Sequence, residues 1–226
     1  MADLPSLDQL QKYVVNREGW EVVRQGLFDS AVYAAAGQTQ LNFFANPIGQ
    51  GTGIFGGAKT ASDTNMNLAG QLPAMQGFLV EAVEILFLPT TPSVAAQMPA
   101  AFGAQAIAQI VNDAYVFRRS GNLNFLIGSK PYLQDGPMMK FPASSDFQIN
   151  AALADVTSAA ANLQSRIAYG KAVGRTYSLG GASIFLTANQ NFNVSLNWPE
   201  GVQALPSGNP GAVRVTLQGL LYRRSQ

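Results

Sequence analysis

The sequence contains neither cysteine nor histidine. Without cysteine there is no disulfide framework, no thiolate nucleophile and no zinc–thiolate site, and redox chemistry says nothing of compartment. Without histidine the usual general base near neutral pH and the commonest transition-metal ligand are both missing. Ser-His-Asp, Cys-His and H-E-x-x-H arrangements are therefore excluded within this chain, and an enzyme would depend on carboxylates, lysine or tyrosine alone. Charge is scarce too: 12% of the 226 residues are Asp, Glu, Lys or Arg, against ~25% in typical soluble domains. The 14 basic and 13 acidic side chains leave a net charge of +1, without the clustered excess that neutralising phosphates requires. The adjacent pairs Arg118-Arg119 and Arg223-Arg224 read as solvated strand ends or subunit contacts. No apolar run is long enough to cross a bilayer, since the most apolar one, Gly77 to Pro89, is short and carries Glu81 and Glu84. The opening MADLPSLDQLQKYVV is acidic and polar, unlike a secretory leader. The expectation is a soluble chain, or part of a soluble assembly, that is not an enzyme and has no catalytic residues, cofactor or metal site.

What is present begins with a helical pattern. Leu7, Leu10, Tyr13 and Val14 recur at three and four, after Ser6 and Gln9 in capping-box spacing. Trp20, Val23, Leu27 and Phe28 continue it, with Glu18, Glu21 and Arg24 on the other side. This predicts an N-terminal helical arm over residues 1–36, packed on its own domain or on a neighbour, ahead of a β domain over residues 37–226. Thr39 to Ala45 is a short β-like run ended by Asn46-Pro47. Gly77 to Leu88 is the strongest buried strand: Val83, Ile85 and Phe87 face one way, Val80, Ala82 and Leu86 the other. Glu81 and Glu84 interrupt opposite faces, so a bulge is expected and an acid–base pair is not. Ser93 to Asn112 reads as a helix, Tyr115 to Phe117 and Leu123 to Ile127 as a strand pair about a turn at Ser120 to Asn122. Phe147 to Tyr169 reads as partly helical, or as a polar insertion. Near the C-terminus Phe192, Val194, Leu196 and Trp198 alternate with Asn191, Asn193, Ser195 and Asn197. Val213, Val215, Leu217 and Leu221 then alternate with Arg214, Thr216, Gln218 and Tyr222. Period two with polar partners is the antiparallel signature, and it places Trp198 in the core. The class is mainly β, an antiparallel sandwich with helical insertions.

Glycine is concentrated in Gly51 to Thr60, GTGIFGGAKT. Gly51, Gly53 and Gly56 satisfy G-x-G-x-x-G, and Gly53 to Thr60 is one residue from a Walker A loop. Neither reading holds. The following ASDTNMNLAG favours turns over a helix, no acidic residue lies about 20 positions on, and Ala58 stands where the phosphate loop needs glycine. The segment reads as a long inter-strand loop whose backbone turns sharply or approaches a neighbour closely. Asp135-Gly136 is a turn, and nothing marks Lys59, Lys130, Lys140 or Lys171 as buried.

Three segments together, LNFFANPIGQGTG, KTASDTNMNLAGQLP before the long apolar strand, and the ending VRVTLQGLLYRRSQ, give the chain an overall impression that resembles the jelly-roll capsid proteins of bacteriophages. The resemblance implies a single eight-stranded jelly roll that self-assembles, through its loops and N-terminal arm, into an icosahedral shell in the virion. Its partners would be copies of itself and other virion proteins, without sequence-specific nucleic-acid binding; contact with an internal membrane is left open. Low charge and abundant amides suit a surface made largely of self-contacts. The alternative is a carbohydrate-binding β-sandwich for host attachment, with Tyr132, Tyr177 and Tyr222 as stacking platforms. A carboxylate enzyme ranks below both.

Overall fold

The computed structural model describes residues 20–90, 104–134, 136–153, 163–171 and 176–224. Along these the elements are β1 (Trp20–Tyr33), β2 (Gln40–Phe43), β3 (Gln76–Pro89), α1 (Ala104–Arg119), β4 (Asn122–Ile127), β5 (Lys130–Leu133), β6 (Ser145–Leu153), β7 (Leu163–Lys171), β8 (Tyr177–Ser178), β9 (Ile184–Leu186), β10 (Phe192–Asn197) and β11 (Gly211–Arg224). One sheet runs β1-β11-β3, with β8 and β9 both pairing to β3; the other runs β2-β10-β4-β5. Every pairing in the two sheets is antiparallel. The period-two pattern explains why: each strand has one apolar face to bury, and two such faces bury one another. Val213, Val215, Leu217 and Leu221 of β11 meet Leu123, Phe125 and Ile127 of β4 and Phe192, Val194 and Leu196 of β10 in one continuous core. The protein is a mainly β sandwich of two antiparallel sheets.

The expected bulge falls at Glu81. Along β3, Ala82 opposes Gln218 and Val80 opposes Gly219, so Glu81 is the extra residue. Inserting one residue reverses the parity of a strand. Phe78 and Val80 before it, and Val83, Ile85 and Phe87 after it, therefore all reach the same core. The bulge also corrects the expectation that the two glutamates occupy opposite faces. Glu81 meets Arg24 at 3.0 Å, and Glu84 accepts from Ser144 and Thr176, each at 3.2 Å. Both lie on the outer face, each with its own partners.

Three further expectations are corrected. Residues 20–33 are strand β1, paired with β11 from Trp20↔Arg224 to Tyr33↔Gly211, not the second half of a helical arm. The boundary at residue 36 therefore does not separate an arm from the sandwich; residues 1–19 lie outside the described residues. The period-two signal of β1 is blurred because Asp29 occupies an inward position among Leu27 and Tyr33 and is itself fully buried. Tyr115 to Phe117 lies within the C-terminal part of α1 and is not a strand. The Ala-rich lead-in carries the helix forward until Gly121, Arg118 and Arg119 suit its carbonyl end, and Phe117 seats in the core against Phe87, Tyr33 and Trp198. Trp198, 1% exposed, donates its indole N–H to the Phe117 carbonyl at 2.9 Å. Finally, β6 and β7 pair as a hairpin from Ser145↔Lys171 to Leu153↔Leu163, in place of the helical reading of Phe147 to Tyr169.

Candidate functional site

The segment between β2 and β3 contains the glycine-rich stretch. It leaves β2 through Phe44, whose φ of 68° is left-handed and whose N–H donates to Asp29 Oδ2 at 2.7 Å. The chain then folds back on itself: Gly49 N–H donates to the Lys59 carbonyl at 2.8 Å, and Lys59 N–H to that of Gln50 at 3.3 Å. Inside this rung Gly53 N–H donates to Gly57 and Gly56 N–H to Gly53, at 2.9 and 3.1 Å, so Ile54 and Phe55 form the tip. Gly56 and Gly57, with φ of 81° and 73°, supply left-handed turns that side chains resist. Gly53 answers a different need, because a Cβ there would stand 2.7 Å from Asp63 Oδ2.

The loop's donors are aimed at its own carboxylate. Asp63 accepts from the backbone N–H groups of Ile54 at 3.2 Å and Thr60 at 2.9 Å, and from the Thr60 hydroxyl at 3.0 Å. Burial alone would raise this carboxyl; the Thr60 and Ile54 N–H groups, the Thr60 hydroxyl and the charge of Lys59 outweigh burial and hold it below its ordinary value of 3.8. The position that a phosphate would take in a nucleotide loop is thus filled from within.

Lysine 59 is buried, contrary to expectation. Its Nζ lies 2.6 Å from Asp29 Oδ1, the two side chains being 4% and 0% exposed. Burial pushes the Asp29 carboxyl up, and the hydrogen bond and charge of Lys59, the Phe44 N–H and the Thr64 hydroxyl only partly offset it. Asp29 therefore joins three parts of the molecule: strand β1, the end of β2, and the glycine-rich loop. On the outer face Arg214 grips the same loop, donating to the Ser62 carbonyl at 2.6 Å and to Ser30 Oγ at 3.0 Å. Asn65 lies along the open side of β1. It accepts from Phe28 N–H at 2.9 Å, gives its side-chain N–H to the Gly26 carbonyl at 2.8 Å and its backbone N–H to Phe28 at 3.3 Å.

A loop tethered on both faces of the sheet holds its tip in a defined place, and that tip presents Phe55 at 95% exposure. Beside it Val32, Ala212 and Leu88 form one row across β1, β11 and β3, opposite in facing to the core residues Tyr33, Val213 and Phe87. With Pro89 and Pro210 they line a groove of about 370 Å³. Neither Asp29 nor Phe55 stood out in the sequence. The signal for Asp29 was a lone acid at an inward strand position, and for Phe55 an aromatic set among glycines.

The other candidates disperse. Tyr132 is on β5 and 47% exposed, Tyr222 on β11 in the other sheet and 2% exposed, and Tyr177 packs on Phe141 at 4.7 Å, so no tyrosine platform forms. Lys130 stands 5.4 Å from the Tyr132 ring, Lys140 is exposed, and Lys171 ends β7. Among the described residues no group of three or more acidic side chains could hold a metal ion, and no helix is long and apolar enough to cross a membrane.

No protein-family model matches the chain, and no curated protein matches it. Among solved structures, the Faustovirus major capsid protein aligns over 99% of this chain at 9% identity and a TM-score of 0.26. The chain spans 36% of that protein's length. A likeness this loose lends no weight to either fold or role.

Proposed function

We propose that this chain is a structural protein of a bacteriophage capsid, a single jelly roll that assembles with copies of itself in the virion. The jelly-roll reading is supported by nested pairing. β1 pairs with β11, β2 with β10, β3 with β8 and β9, and β4 with β5. If β8 and β9 are counted as one interrupted strand, this is the pairing of one long hairpin rolled into two facing sheets.

A fold carries no function by itself. The observation that carries the role is Phe55, an almost fully exposed aromatic on a loop tied down by a buried ion pair, set beside an apolar groove. Burying side chains of this kind is what protein contacts do, and they are costly to leave in water. Contacts of this loop join neighbouring copies, and repetition over a closed shell makes modest contacts sufficient.

The test is light scattering after size-exclusion chromatography, with electron microscopy of any large species, on the wild type and Phe55→Asp. Shells, rings or sheets from the wild type, and their loss in a variant of unchanged melting temperature, support the role. A wild type that stays monomeric under every assembly condition overturns it.

A further inference from the structure

We propose that Lys59 and Asp29 form a site of covalent self-modification, in which the lysine amine condenses with the aspartate carboxyl to give an isopeptide amide and one water. The inference is independent of the capsid reading. It starts from an arrangement that ordinary surface ion pairs lack. Nζ is 2.6 Å from Oδ1, and the two side chains are 4% and 0% exposed. The Arg24–Glu81 pair leaves its arginine about half exposed and the Arg223–Glu21 pair leaves both partners so, and arginine does not acylate in this way. Lys59 is buried, whereas Lys130 and Lys140 are exposed.

In water the condensation is unfavourable, because the free ammonium and carboxylate are well solvated. Burial removes that solvation and penalises both charges. The same burial keeps the Asp29 carboxyl above its ordinary value, which lowers the cost of passing one proton from the ammonium to the carboxylate at the start of the reaction. The amine lone pair then attacks Asp29 Cγ, forming the N–C bond. The developing oxyanion at Oδ2 is held by the Phe44 N–H, already donating at 2.7 Å. Collapse breaks the other C–O bond, and the departing hydroxyl takes a proton from nitrogen and leaves as water. No oxidant or co-reactant is needed. Holding the reacting groups together replaces the activation that a bimolecular amidation requires. The product is a staple between β1 and the glycine-rich loop.

Intact-mass spectrometry of the denatured full chain, after incubation of the folded protein at neutral pH, reads the outcome directly. The expected mass is one water below that of the sequence, with a branched peptide joining the segments around Asp29 and Lys59. Asp29→Asn gives a second signature, since condensation with a carboxamide releases ammonia in place of water. A wild type at full mass overturns the proposal. So does a water deficit that persists in Lys59→Met, which would show that the dehydration does not involve Lys59. The wild-type measurement does not depend on either variant folding.

Discussion

Replacing Gly219 with alanine probes the bulge that sets the core parity of β3. Gly219 opposes Val80, at the step where β3 carries its extra residue. A Cβ here would overlap the Leu79 carbonyl oxygen, and would stand 2.9 Å from the carbonyl carbon and 3.2 Å from Phe78 Cε1. The obstacle is backbone of the paired strand, so no rotamer change relieves it and β11 must part from β3 in the middle of the sheet. Overpacking a well-packed site costs about 1–3 kcal/mol, and a backbone obstacle places Gly219→Ala at the top of that range. At about 2–4 °C per kcal/mol for a chain of this size, the melting temperature falls by about 6–12 °C. Gly26→Ala is the matched control. Its Cβ would meet Thr216 Cγ2 at 3.1 Å and Gln218 Oε1 at 3.2 Å, side-chain atoms that can turn aside, and the loss of unfolded-chain freedom offsets the crowding, so the change stays within about 1 kcal/mol. Thermal and urea unfolding of the two variants decide the matter. Equal melting temperatures would refute the close-approach argument at the bulge.

Asp63 is held below its ordinary 3.8, so it stabilises the fold above that pH and loses its effect as the pH falls through the lowered folded value. Urea unfolding should show wild type ahead of Asp63→Asn by about 1–3 kcal/mol at neutral pH, with the gap closing on acidification; a pH-independent gap contradicts the assignment. Tyr222 is pushed from 10.0 up to about 12, by burial first and the Glu81 charge second. Its neutral form is therefore favoured by folding, and stability drains away as the pH rises from 10 toward 12. An ultraviolet difference titration of wild type against Tyr222→Phe should place its ionisation near the upper value, and ionisation at the ordinary value refutes it. Asn65→Ala should strip hydrogen-exchange protection from the Phe28 amide and leave the Leu217 amide unchanged.

The sandwich was legible wherever a strand buries one face and wets the other. β11 alternates without exception up to Leu217, β10 alternates through Trp198 except at the buried Ser195, and β3 announced its bulge through two glutamates that fit no single register. β1 was not legible, because its inward set includes Asp29, whose partner Lys59 arrives from a loop 30 residues away. Trp20, Val23 and Leu27 happen to fall at helical spacing, and only pairing with β11 overrides that preference. The end of α1 was misread for the related reason that Tyr115, Val116 and Phe117 favour strands in isolation, whereas Phe117 is fixed by packing on Trp198 and Tyr33. The glycine loop was readable as a turn-rich connection and unreadable as an internal carboxylate cradle, since no local signal links Asp63 to Ile54.

Among the described residues, each edge of the sandwich is short, interrupted or partly covered. Thr64 and Asn65 occupy the open side of β1, β8 and β9 are two and three residues long, β2 is four, and β5 carries Pro131, which offers no N–H. Edges this short or interrupted disfavour growth into a ribbon by shared backbone ladders. On the proposed role, copies would meet through side chains at loops and faces, a kind of joint that tilts by small angles while every internal ladder stays intact. Under that proposal the molecule is a finished tile, and the curvature of the surface it tiles would be set at the joints.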